Sequence, residues 1–300
     1  MPTLRFETEP GFFVTADTWG DPTHPPVLLL HGGGQTRHSW GDTARLLAEA
    51  GWYAIALDAR GHGDSDWSAE SQYGIDYLVS DLNAIIQQLG TLPVLVGASM
   101  GGLTALLAVG ESAPPVASAL VLVDVAPRTE QKGIERIFTF MSANPNGFAS
   151  LNEAADAVAG YLPHRSNATP DRPANHRRLE KNLRLKPGPN GGTPRYYWHW
   201  DPEFLRVWHD LAHMAPTPAG ETQKMQQEER LFDAARHLNM PTLIVRGGMS
   251  DVVSEKVMTE FLDVVPHAQS INVADASHMV AGDSNHAFTK AVINFLKAKA

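Results

Sequence analysis

Gly97-Ala98-Ser99-Met100-Gly101 sets a serine between glycines two residues away on either side. An apolar strand candidate, Val94–Val96, leads into it, and an apolar helical pattern, Leu103, Leu106 and Leu107, follows. A serine on a sharp strand-to-helix turn needs neighbours without side chains, or its oxygen cannot stand clear of the sheet. The chemistry such a hydroxyl offers is nucleophilic attack on an acyl carbon, once a base removes its proton.

Thirteen histidines are available, and position selects among them. Reactive groups of an open α/β sheet gather beyond the C-terminal ends of its strands. His278, in Asp275-Ala276-Ser277-His278-Met279, follows the last strand candidate and is the expected base. His286 is second choice, because it falls in the opening of the final helix. His24, His38, His164, His176, His237 and His267 are read as solvated surface residues. The imidazolium needs a carboxylate on its other nitrogen. Asp251, in Gly247-Gly248-Met249-Ser250-Asp251, is the expected acid, giving the chain order Ser, Asp, His. Asp124, at the end of the strand after the nucleophile helix, is its rival, and Asp275 is too close in sequence to His278. The oxyanion of a tetrahedral intermediate needs two N–H donors. Met100 supplies one by the geometry of the turn, and Gly33, in His31-Gly32-Gly33-Gly34, is the expected second. No Lys-Ser/Thr follows these glycines, which argues against a phosphate-binding loop.

The elements that must hold these groups alternate. Val27–Leu30, Tyr53–Leu57, Val94–Val96, Ala119–Val123, Thr242–Val245 and Ser270–Val273 are short apolar runs closed by turn signals. Such runs suit strands buried on both faces. Between them, Ile75, Leu78, Val79, Leu82, Ile85, Ile86 and Leu89 form a helical stripe that stops at Gly90, and Phe288, Val292, Phe295 and Leu296 mark a C-terminal helix. The predicted fold class is α/β, a mostly parallel open sheet with helices on both faces. The 118 residues between Val123 and Thr242 break this rhythm, with helical stripes and no convincing buried strand. They are expected to form a mainly helical cap inserted after the sixth strand. The domains are then a core of residues 1–125 and 232–300 and a cap of residues 126–231. Trp40, Phe138, Tyr197, Trp198, Trp200 and Met279 are candidates for a substrate pocket, the tryptophans, phenylalanine and tyrosine equally for apolar core.

Composition narrows the partners. A net charge of −9 disfavours nucleic acid and anionic lipid. The absence of cysteine removes disulfides, thiolate metal sites and a cysteine nucleophile together. His209 and His213 stand one helical turn apart, but Asp210 follows the first where a zinc-protease helix has glutamate, so no metal is expected. The N-terminal residues suggest no leader peptide, and no window approaches ~20 apolar residues, so a cytoplasmic protein is expected.

Five segments in this order, His31-Gly32-Gly33, Asp58-Ala59-Arg60-Gly61-His62-Gly63-Asp64-Ser65, Gly97 to Gly102, Gly247 to Asp251 and Ser277-His278, resemble the α/β-hydrolase superfamily over essentially the whole chain. Within it the chain looks most like the capped group of epoxide hydrolases, haloalkane dehalogenases, cofactor-free haloperoxidases and small esterases. Epoxide hydrolases and dehalogenases carry aspartate where Ser99 stands, so the resemblance implies acyl-enzyme chemistry here. It implies a cofactor-free serine hydrolase acting on a small-molecule ester or lactone, with Ser99, Asp251 and His278 as its triad. Hydrolysis of a carbon–carbon bond or perhydrolysis on the same fold is the alternative, and a binding protein on a hydrolase scaffold a remoter one. A homo-oligomer is compatible with all of these.

Overall fold

The computed structural model describes residues 2–161, 179–212, 218–274, 276, 278 and 286–298. Eight strands form one sheet. In chain order they are β1 (Thr3–Glu9), β2 (Phe12–Trp19), β3 (Pro26–Leu30), β4 (Tyr53–Leu57), β5 (Val94–Ala98), β6 (Ala119–Val123), β9 (Thr242–Gly247) and β10 (Gln269–Val273), and they lie in the order β1-β2-β4-β3-β5-β6-β9-β10. From β4 to β10 every neighbouring pair is parallel, as the apolar runs predict. Strands β3, β5, β6 and β9 are buried at every position. A strand covered on both faces is apolar except where a buried polar group finds a partner, as Thr242 and Arg246 of β9 do on Met240 O and Val253 O, which is why these were legible.

The helices divide between the two faces. α1 (Gly41–Glu49) and α9 (His286–Lys297) cover one face, joined to it by Leu29, Val96, Val121 and Val245. α2 (Ile75–Leu89), α3 (Met100–Gly110), α7 (Pro218–Arg236) and α8 (Glu255–Val264) cover the other, meeting Leu28, Leu95, Leu120 and Ile244. The predicted stripe of α2 buries Leu78, Leu82, Ile85 and Ile86, and the helix ends at Gly90 with φ +66°. Trp40 belongs to the first of these cores. It is fully buried against Phe288, with ring centroids 6.1 Å apart, and does not line the cavity described below. The expectation that it shapes a substrate pocket is corrected accordingly.

The antiparallel pair β1 and β2 was not expected. Its inward positions include Thr15, Asp17 and Thr18, buried polar residues that break any apolar run. They are satisfied by long-range partners. Thr15 N–H donates to Ser65 Oγ at 2.8 Å, and the Asp17 carboxylate accepts from Thr3 Oγ1 at 2.9 Å. Between β6 and β9 lie α4 (Gln131–Ser142), α5 (Leu151–Tyr161), α6 (Pro202–Ala212) and α7, together with an antiparallel hairpin of β7 (Leu183–Lys186) and β8 (Arg195–Trp198). Both hairpin strands are short and half-exposed, so periodicity could not separate them from loop. Among the described residues no helix is long and apolar enough to cross a membrane.

Candidate active site

Ser99 sits between β5 and α3 with φ +47° and ψ −116°, a conformation that L-residues rarely adopt. The flanking glycines make that turn possible. A Cβ on Gly97 would stand 2.4 Å from Gly101 O, one on Gly101 2.5 Å from Leu30 O, and one on Gly102 2.4 Å from Val125 Cγ1. Ser99 N–H donates to Val123 O at 3.1 Å, and Ser99 O accepts the N–H groups of Gly102 and Leu103. The serine is thereby fixed from its backbone outward at the N-terminus of a helix.

His278, 9% exposed, turns Nδ1 onto Asp124 Oδ2 at 2.7 Å. Asp124 is fully buried at the end of β6, where a φ of +49° swings its carboxylate towards the end of β9. There Oδ1 accepts the Gly247 N–H at 2.8 Å and Oδ2 accepts the Ser250 hydroxyl at 2.5 Å. Ser250 Oγ in turn accepts the N–H groups of Val252 and Val253, each at 3.1 Å. Both carboxylate oxygens are therefore engaged by hydrogen-bond partners, the Gly247 N–H, the Ser250 hydroxyl and the His278 ring.

Asp251 is engaged elsewhere. Its carboxylate takes a two-pronged contact from Arg136 of α4, with Nε to Oδ2 at 2.5 Å and Nη2 to Oδ1 at 2.8 Å. The guanidinium holds the Asp251 carboxyl below the usual carboxylate range. α4 approaches closely because residue 133 is glycine, and a Cβ there would meet Asp251 O at 2.3 Å. The expectation that Asp251 contacts His278 is corrected: the rival, Asp124, has that contact. Chain order could not distinguish them, because Ser99, Asp124, His278 is also Ser, Asp, His.

The glycine loop after β3 has its first and third amides committed. Gly32 N–H donates to Gln35 Oε1 at 3.1 Å, and Gly34 N–H to His62 Nε2 at 3.1 Å. The Gly33 N–H has no hydrogen-bond partner among the described residues. Gly32 lies against the serine, since a Cβ there would be 3.3 Å from Ser99 Cβ. Ser99, His278, Gly33 and Met100 all line one cavity of about 1050 Å³. Phe138, Trp198 and Trp200 line it too, with Trp198 and Trp200 stacked at 5.1 Å. Tyr197 is half-buried and not part of the lining, so that pocket expectation is corrected: on β8 successive side chains point to opposite faces, and only its neighbour Trp198 turns inward. Met279 lies outside the described residues, as does His213. His38, expected at the surface, is a half-buried lining residue 3.7 Å from Asp17.

Three buried imidazoles brace the loop from behind. His31, His62 and His199 stand in a row, with ring centroids 5.1 Å and 6.0 Å apart. Each gives one nitrogen to a backbone N–H: His31 Nε2 to Ala59, His62 Nε2 to Gly34, and His199 Nδ1 to Gly63. No unprotonated nitrogen is left for a metal. The turn from Asp58 to Ser65 is locked by the buried Asp58 carboxylate, which takes the Arg37 N–H at 2.7 Å, the Arg37 guanidinium and the Asp64 N–H at 2.9 Å. These imidazoles were not singled out by sequence, although two lie inside motifs that were.

Burial pushes His62 down to about 3 and His199 well below its ordinary value, with the neighbouring imidazole adding to the effect in each. In an unfolded chain a histidine takes up its proton near ~6.5. The unfolded state thus binds more protons below that pH, and stability is full above it and lost as pH falls towards 3. The slope is up to about 1.4 kcal/mol per pH unit for each such group. Urea midpoints should therefore drop between pH 7 and pH 5, above the carboxylate range. An unchanged midpoint across that interval would contradict the neutral trio.

The model of the family described as alpha/beta hydrolase fold matches residues 25–284. The chain belongs to the α/β-hydrolase fold family. Among similar proteins, an esterase of Mycobacterium tuberculosis, Rv0045c, is 28% identical over 295 residues, covering 95% of this chain and 87% of that protein. A 3-hydroxybutyrate-oligomer hydrolase of Cupriavidus necator is 30% identical over 265 residues, covering 87% and 85%. Of solved structures, E-2-(acetamidomethylene)succinate hydrolase superposes with a TM-score of 0.79 at 22% identity, covering 99% of both chains. These α/β-hydrolase relatives are hydrolytic enzymes, and this chain is an α/β-hydrolase of the same general kind.

Proposed function

We propose that this α/β-hydrolase cleaves carboxylic esters or lactones of apolar acids through an acyl-enzyme on Ser99, with His278 as base and Asp124 as its partner. The observation that carries the reading is the 2.7 Å contact to buried Asp124 made by His278, an imidazole that lines the same cavity as the strained Ser99. Asp124 fixes the proton on Nδ1, which leaves Nε2 as the free base. Nε2 takes the Ser99 proton as Oγ bonds to the acyl carbon, and the carbonyl electrons move onto oxygen. The N–H groups of Gly33 and Met100 hold that oxyanion. The imidazolium returns its proton to the departing alkoxide, and the C–O bond breaks. Water then repeats the cycle on the acyl-enzyme and regenerates Ser99. Residues 126–231 serve as the cap that closes this cavity, and the protein works without a metal or organic cofactor.

An ester substrate agrees with the activities named for the M. tuberculosis esterase and the C. necator hydrolase. Apolar acids are favoured by the walls, where Leu103 and Leu107 of α3 face Ile134 and Phe138 of α4. Each methylene buried there is worth about 0.8 kcal/mol, or up to roughly fourfold in KM per CH₂ until the cavity is filled. A series of p-nitrophenyl esters from acetate to octanoate should show KM falling with chain length. A flat or rising series would remove the apolar acyl site. The nucleophile itself is tested by a fluorophosphonate probe, whose mass should appear on the peptide carrying Ser99. A probe-resistant wild type would leave the proposed mechanism without its first step.

A further inference from the structure

We infer that His62 is the positioning residue of the oxyanion hole: its imidazole captures the Gly34 N–H and so holds the loop in the one arrangement that keeps the Gly33 N–H available to the reacting oxygen. The inference rests on the proposed acyl-enzyme reading and adds a residue to it. The three glycine amides are sequential, so the direction of the middle one is set by what the outer two hold. Gln35 Oε1 holds the first at 3.1 Å, and His62 Nε2 holds the third at 3.1 Å. Because Nε2 accepts, the proton lies on Nδ1, which donates to Arg60 O at 3.1 Å. His62 therefore ties the loop to the turn after β4 through both ring nitrogens.

The ring cannot swing away. His62 is fully buried, and Phe204 of α6 meets it edge-on with centroids 4.3 Å apart. The same Phe204 ring lies 3.5 Å from where a Cβ of Gly33 would stand, so one side chain packs against both the imidazole and the loop. Gly34 has a φ of +72°, and a Cβ there would meet Met141 at 2.7 Å, which closes the loop's other exit. A neutral imidazole suits the task, since a protonated one would have no lone pair for the Gly34 N–H. Burial and the adjacent His31 keep it neutral.

His62→Phe keeps a flat ring and removes the acceptor. His62→Gln can return an oxygen to about the place of Nε2. A missing oxyanion donor costs about 10² to 10³ in kcat, and a displaced one is expected at the lower end. H62F should lose about 10²-fold in kcat with KM within threefold. Its affinity for a trifluoromethyl ketone, which forms the tetrahedral adduct on the serine, should fall by a similar factor. H62Q should recover at least tenfold of the loss. A merely structural role would lower the melting temperature without weakening the ketone selectively. If H62F does not fold, His62→Asn decides by the same numbers, since its amide is polar but ends short of the Gly34 N–H. A folded variant with kcat and ketone affinity within threefold of wild type, or H62Q no better than H62F, overturns the role of His62 alone. A wild type that hydrolyses no ester and resists the fluorophosphonate overturns it together with the acyl-enzyme reading.

Discussion

Ser99→Ala lowers kcat for a p-nitrophenyl ester by up to about 10⁶-fold if the triad acts as a unit. The loss is that large because no other hydroxyl can take the same place. The serine oxygen is presented by a backbone with φ +47°, fenced by three glycines that no larger residue can replace without collision. Removing the oxygen leaves the rest of the site standing, so the melting temperature of S99A should stay at or above that of wild type. Turnover is measured with enzyme expressed in a host deleted for its own esterases, because a trace contaminant would mask a loss of this size. Activity within a hundredfold of wild type would remove Ser99 from the mechanism.

Asp124→Asn should cost about 10⁴-fold in kcat. An amide in place of the carboxylate can present its NH₂ to His278 and select the wrong tautomer, leaving the proton on the nitrogen that must accept one. Asp251→Asn is the matched control. Its carboxylate faces Arg136 with about 40% of the side chain exposed, so the pair is screened by solvent and contributes at most about 1 kcal/mol to stability. D251N should keep kcat within about threefold. The reverse pattern, a crippled D251N beside an active D124N, would return the acid to the loop after β9.

What could be read from the sequence follows the strength of local constraint. Strands β5 and β6 are buried and apolar at every position, and the elbow must be Gly-x-Ser-x-Gly, so the central sheet and Ser99 were visible without coordinates. The edge pair β1 and β2 was not, because Thr15, Asp17 and Thr18 are buried on hydrogen bonds that only the folded chain supplies. The choice between Asp124 and Asp251 turned on where Arg136 points, a contact 115 residues away in sequence. Trp40 and Tyr197 failed as pocket residues for a similar reason. An aromatic residue announces burial, and only packing decides whether it is buried against protein or against a substrate.

The backbone at Ser99 has a bearing on how this enzyme tolerates change. Holding a non-glycine residue in a sparsely populated region costs of order 1–3 kcal/mol, which the sheet and helix on either side must absorb. Glycine at that position would release the tension and give a sturdier, inert protein. Selection for robustness and selection for turnover therefore pull in opposite directions at a single codon, and the margin spent there limits how many further destabilising substitutions the scaffold can accumulate.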